Sequence, residues 1–182
     1  MRARLSALVL AGAVLLGAPA ARAVYTRSGD ASVKATIAAS GGITFTAKTA
    51  DVRVADDGTS VTFAVPASAL ETGISMRDNH LRDHLEATKY PTITFSIVKA
   101  DVKLPAPGAS LEGTVGSSVT LHGVKKTESV PYSISAANGG YRVHVDKLVL
   151  HLSDYGIERP SFAGVTVKND VAVAVDLPLN GG

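Results

Sequence analysis

The chain has 182 residues and no cysteine, which excludes disulfides and also a lipid anchor on an N-terminal cysteine. Its formal charge of +2 rests on Arg2, Arg4 and Arg22, which lie in the first 23 residues with no acid among them. The rest of the chain is slightly acidic, so charge gives no reason to expect a nucleic-acid partner.

In chain order, the first segment is "MRARLSALVLAGAVLLGAPAARA". Arg2 and Arg4 form a positive start, and Leu5 to Leu16 is a short apolar run. Ala21-Arg22-Ala23 has the small-x-small pattern of a cleavage site, with Ala18-Pro19-Ala20 as the alternative. This order is that of a secretory signal peptide. The apolar run falls short of the roughly 20 residues that span a bilayer, so no stable membrane insertion is expected. The expected division is therefore a signal peptide over residues 1–23 and one domain over residues 24–182.

Strand signals follow at short intervals. Residues 28–47 are rich in small side chains and carry a Gly41-Gly42 break. Phe63 and Val65 alternate with Thr62 and Ala64 after an Asp57-Gly58 turn. Ile93, Phe95 and Ile97 alternate with Thr92, Thr94 and Ser96, and Val119 and Leu121 flank Thr120. Val130, Tyr132 and Ile134 alternate with Pro131, Ser133 and Ser135 ahead of Asn138-Gly139-Gly140. Val171, Val173, Val175 and Leu177 complete the series. Period-two alternation means half-buried strands, and the glycine pairs mark hairpin turns. Within "YRVHVDKLVLHLS" the apolar phase changes from odd at Tyr141, Val143 and Val145 to even at Leu148, Leu150 and Leu152. That slip predicts a β-bulge near Asp146-Lys147.

One segment reads as helix, from Ser75 to Tyr90-Pro91. Ser75 to Asp78 has the form of a capping box, Asp78–Arg82 and Arg82–Glu86 are charge pairs four apart, and the proline closes the segment. Its apolar stripe, Ile74, Leu81 and Leu85, is too thin for a core helix but suits one laid across the end of a barrel. Many antiparallel strands with one short helix and no repeat mean an all-β closed barrel or a sandwich.

The chemistry on offer is limited. His80 and His84 stand four apart, a spacing that can ligate zinc, but no third donor has a recognisable spacing, so no metal or other cofactor is expected. No G-x-S-x-G elbow, H-E-x-x-H motif or phosphate loop is present. Three readings remain: a barrel that holds an apolar ligand, a barrel packed solid by its own side chains, and an enzyme built on Arg77, Asp78 and His80.

Three segments resemble the YceI-like family of exported proteins. "ETGISMRDNHLRDHLEATKYPTITFSI", Glu71 to Ile97, is similar to its central motif of Thr-Gly, Arg-Asp-x-His-Leu-Arg and Tyr-Pro. Leu121 to Lys125 resembles its Leu-x-Gly-Val-x-Lys turn, and Asp154 to Ile157 its Asp-Tyr/Phe-Gly-Ile segment. The resemblance implies a lipocalin-like antiparallel barrel of about eight strands, capped at one end by the short helix, in the periplasm or secreted. It implies a long apolar ligand inside, a polyisoprenoid or other lipid-like small molecule, and no catalysis; the oligomeric state is left open, with a dimer among the options. The interior positions expected to meet that ligand are Phe63, Ile93, Phe95, Ile97, Val119, Leu121, Tyr132, Val143 and Val173. The motif positions expected at the barrel mouth are Arg77, Asp78, His80, Leu81 and Arg82.

Intact-mass measurement on protein from the exported fraction checks the leader. The expected N-terminus is Val24, or Ala21 if the earlier site is used. An uncleaved chain retained in the membrane contradicts the export expectation.

Overall fold

The computed structural model describes residues 24–137, 139–162 and 164–181, and the leader with its cleavage site lies outside the described residues. The chain forms β1 (Thr26–Arg27), β2 (Ser32–Ala39), β3 (Thr44–Thr49), β4 (Arg53–Asp56) and β5 (Ser60–Pro66). The helix α1 (Ser75–His84) follows, then β6 (Thr92–Val98), β7 (Ser110–Leu121) and β8 (Val124–Ala137). β9 (Gly140–His151), β10 (Ser161–Phe162) and β11 (Val165–Asn180) complete the chain. The strands make one curled antiparallel sheet in the order β3-β2-β11-β9-β8-β7-β6-β5-β4, with β1 and β10 paired to β11. Short turns join β2 to β3, β4 to β5, β7 to β8 and β8 to β9, the β5–β6 connection carries α1, and β11 returns to pair with β2 from the other end of the chain. The sheet forms a half-barrel whose end strands, β3 and β4, are not paired with each other. The described sheet has more strands than the eight or so expected, partly because β1 and β10 add two residues each at its margins.

The alternation seen in the sequence becomes an inner and an outer face. Val119, Leu121, Val130, Tyr132, Ile134, Val171, Val173 and Leu177 are all buried in one hydrophobic core. The bulge lies where the phase slips. Val145 faces Val175 and Leu148 faces Val173, so Asp146 and Lys147 together stand opposite Ala174. The extra residue keeps Val145 and Leu148 both buried while Asp146 and Lys147 face solvent. A second irregularity, between Val167 and Val171, bends β11 against β2. Such insertions increase local twist and curl a sheet inward.

The helix differs from expectation at both ends. Its N-cap is Ile74, with no side-chain cap, so the box from Ser75 to Asp78 does not form. The Asp78 carboxylate instead turns back beyond the helix start and accepts from the Thr72 amide and hydroxyl, each at 2.6 Å. Those two bonds tie Asp78 to the incoming chain. The α-helix stops at His84, because Glu86 takes a left-handed φ of 44° and the Ala87 amide donates to the Arg82 carbonyl. Turns fill the remaining residues up to Tyr90-Pro91. Among the described residues no helix is long and apolar enough to cross a membrane.

Polar joints tie the two ends of the half-barrel. Near α1, the Tyr155 phenol is fully buried and donates to Glu128 at 2.7 Å. Burial, reinforced by that carboxylate, holds the phenol above its ordinary pKa. His122, in the β7–β8 turn, donates from Nδ1 to the Tyr155 carbonyl at 3.0 Å, and its Nε2 lies 3.2 Å from Glu86 after the helix. Gly123 takes a φ of 75° and packs so close to the Tyr90 ring that a Cβ there would collide with it. At the other end, the buried Asp56 carboxylate accepts from the Tyr25 amide at 2.8 Å and from the Lys99 ammonium at 2.9 Å. The same ammonium sits 4.7 Å from the centre of the Tyr25 ring, and Tyr25 meets Tyr141 edge-on. This joint fastens the N-terminal segment over β4, beside the sheet's open edge.

Burial pushes the Asp56 carboxyl up, but the Lys99 ammonium and the Tyr25 and Gly58 amides outweigh it and hold it below the usual carboxylate range. A carboxyl lowered by folding adds stability above its unfolded pKa of about 3.9, and this is lost as pH falls through the folded value. Asp56→Asn is therefore expected to cost about 1–3 kcal/mol at pH 7, and the deficit should shrink well below pH 4. Denaturant melts of both proteins across that range check this, and an equal deficit at every pH contradicts it.

Candidate functional site

Two cavities lined by described residues lie inside the half-barrel. The larger, about 430 Å³, lies beneath α1. A helical turn brings residues three and four apart onto one face, and Arg77, His80, Leu81, His84 and Leu85 all line this space. Opposite them stand Ile37 and Phe45 from the first hairpin and Val167 and Val171 from β11, with Leu152 and Ile157 from the segment after β9. Apart from the arginine and the two histidines, every lining side chain is apolar. Three of the lining residues, Ile43, Ile74 and Met76, are 45 %, 50 % and 64 % exposed, so the cavity reaches the surface beside the start of the helix.

The inward face of α1 is thus mixed rather than a thin apolar stripe. Arg77 extends over the Phe45 ring, its guanidinium carbon 4.8 Å from the ring centre, a cation–π contact that holds the charge at the cavity wall. His80 and His84 lie at the same wall and remain largely exposed. This places a cationic group and two imidazoles at the rim of an apolar space, a suitable arrangement for a polar or anionic end on an apolar chain.

Of the five expected mouth residues, Arg77, His80 and Leu81 line the cavity and Asp78 and Arg82 do not. Asp78 is only 7 % exposed and is engaged by Thr72, whose hydroxyl and amide hold its carboxyl below the usual range. Arg82 donates to the Ser68 carbonyl and to Asn79, bracing the helix against the preceding loop rather than pairing with Asp78 or Glu86. Arg77, Asp78 and His80 therefore do not converge on one point of the cavity as an acid–base centre requires. Among the described residues no three histidine, aspartate or glutamate side chains are grouped to hold a metal ion.

The smaller cavity, about 130 Å³, occupies the opposite half of the interior. Five of the nine expected interior residues line it: Phe63, Phe95, Ile97, Tyr132 and Val143. Ile93, Val119, Leu121 and Val173 line neither space and pack into or against the core. The sequence reading missed Ile37, Phe45, Leu152, Ile157, Val167 and Val171 as cavity residues. The signal was present for Ile37 and Phe45, which alternate with threonine and alanine on either side of Gly41-Gly42. Ile157 is brought in by the left-handed turn at Gly156, which no periodicity announces.

The same convergence explains the three sequence segments singled out above. Tyr90 meets His122 edge-on, and His122 holds the Tyr155 carbonyl. The helix segment, the β7–β8 turn and the Asp154 to Ile157 turn thus meet at one joint beside the larger cavity.

Comparison with known proteins agrees with this architecture. Among solved structures, a polyisoprenoid binding domain from Saccharophagus degradans, implicated in plant cell wall breakdown, superposes with a TM-score of 0.75 at 17% identity, covering 88% of this chain and 99% of that one. Burkholderia cenocepacia BcnA gives a TM-score of 0.58 at 16% identity, covering 81% and 94%. A Campylobacter jejuni YceI protein gives 0.51 at 17% identity, covering 70% and 78%. At these identities the likeness is one of fold. No curated protein matches the chain. The model of the YceI-like domain matches residues 22–179, nearly all of the described chain, and the protein belongs to the YceI-like family.

Proposed function

We propose that this protein is an exported, non-catalytic carrier that holds a linear apolar molecule, a polyisoprenoid or another lipid, in the cavity beneath α1. The observation that carries this reading is the cavity itself: about 430 Å³ of apolar-walled space open at the surface, with its cationic and imidazole groups confined to one helix. A solid core would have closed that space, since interiors otherwise pack to near-crystal density. In this reading the ligand's polar end lies at Arg77 and His80, and Leu81, Phe45 and Val171 face its apolar body. The description of the Saccharophagus domain as polyisoprenoid-binding supports the same ligand class here. The secretory pattern of residues 1–23 supports a periplasmic or secreted location.

Mass spectrometry of an organic extract of the purified protein tests for a co-purifying lipid. A saturating ligand at 100 times Kd stabilises the fold by about 2.7 kcal/mol. At roughly 2–4 °C per kcal/mol for a domain of this size, Tm should rise by about 5–11 °C. Val171→Trp, which fills the cavity, should abolish that shift and leave the free protein folded. Val173→Trp, in the packed part of the core, should instead cost about 1–3 kcal/mol. Absence of any Tm shift with lipids, together with equal destabilisation by both tryptophans, contradicts the carrier reading.

A further inference from the structure

Among the described residues seven large apolar side chains are exposed, and three of them, Ile43, Ile74 and Met76, line the larger cavity. They come from two separate segments. Ile43 follows the short turn Ser40–Gly42 between β2 and β3, and Ile74 and Met76 belong to the start of α1. Scattered exposed apolar residues are ordinary, but a group of them at one opening marks a contact surface.

Both segments stand clear of the rest of the molecule, since a Cβ added at Gly41, Gly42 or Gly73 would meet nothing within 4 Å. Neither carries a charge, because residues 38–47 and 72–76 contain none. The first charge behind the helix tip is Arg77, held at the cavity wall over Phe45. The carboxylate beside it, Asp78, is buried and turned back to Thr72. The exposed acid of α1, Asp83, comes about two turns after Met76. Uncharged apolar tips with a cation behind them match the layers of an anionic bilayer surface. The tips suit the acyl boundary and the guanidinium suits the phosphates above it.

The chemistry of the ligand points the same way. Each methylene moved from an apolar phase into water lowers the amount of free chain roughly fourfold. A long apolar chain is thus almost absent from water and has to pass directly between apolar surroundings.

We propose that the rim formed by Ile43, Ile74 and Met76 docks on an anionic lipid bilayer, and that the ligand passes between bilayer and cavity through this opening. This rests on the carrier reading above and names the surface with which the carrier exchanges its ligand.

Flotation of the ligand-free mature protein with vesicles tests the docking without any ligand. Vesicles of equal parts phosphatidylcholine and phosphatidylglycerol should bind the wild type at least ~5-fold more strongly than phosphatidylcholine alone. Ile43→Ser/Met76→Ser should weaken that binding at least ~10-fold, because two inserted apolar side chains are lost. Ser75→Asp sets a carboxylate between Ile74 and Met76, at an exposed position in the first turn of the helix, where an acid suits the helix dipole. It should weaken vesicle binding at least ~5-fold, while its Tm shift with farnesol stays that of the wild type. In a second measurement, farnesol carrying a nitrobenzoxadiazole label is transferred from the loaded protein to the same vesicles containing a quencher. The rate should rise in proportion to vesicle concentration, as collision requires. A rate independent of vesicle concentration means release through water and overturns the proposed passage. Equal flotation of the wild type and both variants places the contact elsewhere and overturns the rim. No flotation of a wild type that still shows the Tm shift with farnesol overturns the docking and leaves the carrier reading intact. Flotation without any Tm shift removes the carrier reading, and with it the passage of ligand through the rim. Self-association that Ile43→Ser/Met76→Ser abolishes, with no vesicle binding, assigns the rim to a second copy of this chain and contradicts the bilayer.

Discussion

Each strand of a curled sheet turns every second side chain inward, and that inward face has to be filled. In this protein it is filled mostly by valine, alanine, leucine and isoleucine, with few aromatic residues. At Val119 and Leu150 these side chains are buried in the core. Toward the helix they do not fill the space, and the larger cavity remains. The space beneath α1 thus follows from small side chains on a wide sheet, with the helix as a partial cover.

The polar chemistry is pushed to the two ends. Tyr155 with Glu128, and His122 with Glu86, knit the turns beside the helix. Asp56, Lys99 and Tyr25 close the opposite end. Among the described residues no buried side-chain nitrogen or oxygen lacks a hydrogen-bond partner, so the interior stays apolar without unpaired polar groups. The joints are made by charged and turn residues, while the cavity walls are almost entirely apolar. A wall needs only approximate volume, whereas a joint such as Gly123 against Tyr90 needs a particular backbone and a missing Cβ.

Much of this was readable from the order of residues. Alternation named the strands and their inward sides, and a phase slip located the bulge at Asp146-Lys147. The helix was recognised, but its cap was not, because Asp78 is satisfied by Thr72 across a loop and not by the helix start. The candidate site was readable only in part. Alternation says that Val119 and Phe95 both point inward, but not that one is fully buried in the core and the other borders free space. That distinction depends on which strands lie opposite, which is a property of the curled sheet. Leu152 and Ile157 belong to a turn, where period-two reasoning has no purchase.

The central claim is that an apolar chain occupies the space beneath α1. Photo-cross-linking with an isoprenoid alcohol carrying a diazirine at its far end, followed by peptide mapping, tests it most directly. The account predicts labels on residues that line that space, such as Leu81, Val171 and Ile157, and their loss when unmodified farnesol competes. Labels confined to the outer face of the sheet, or undiminished by the competitor, would contradict it.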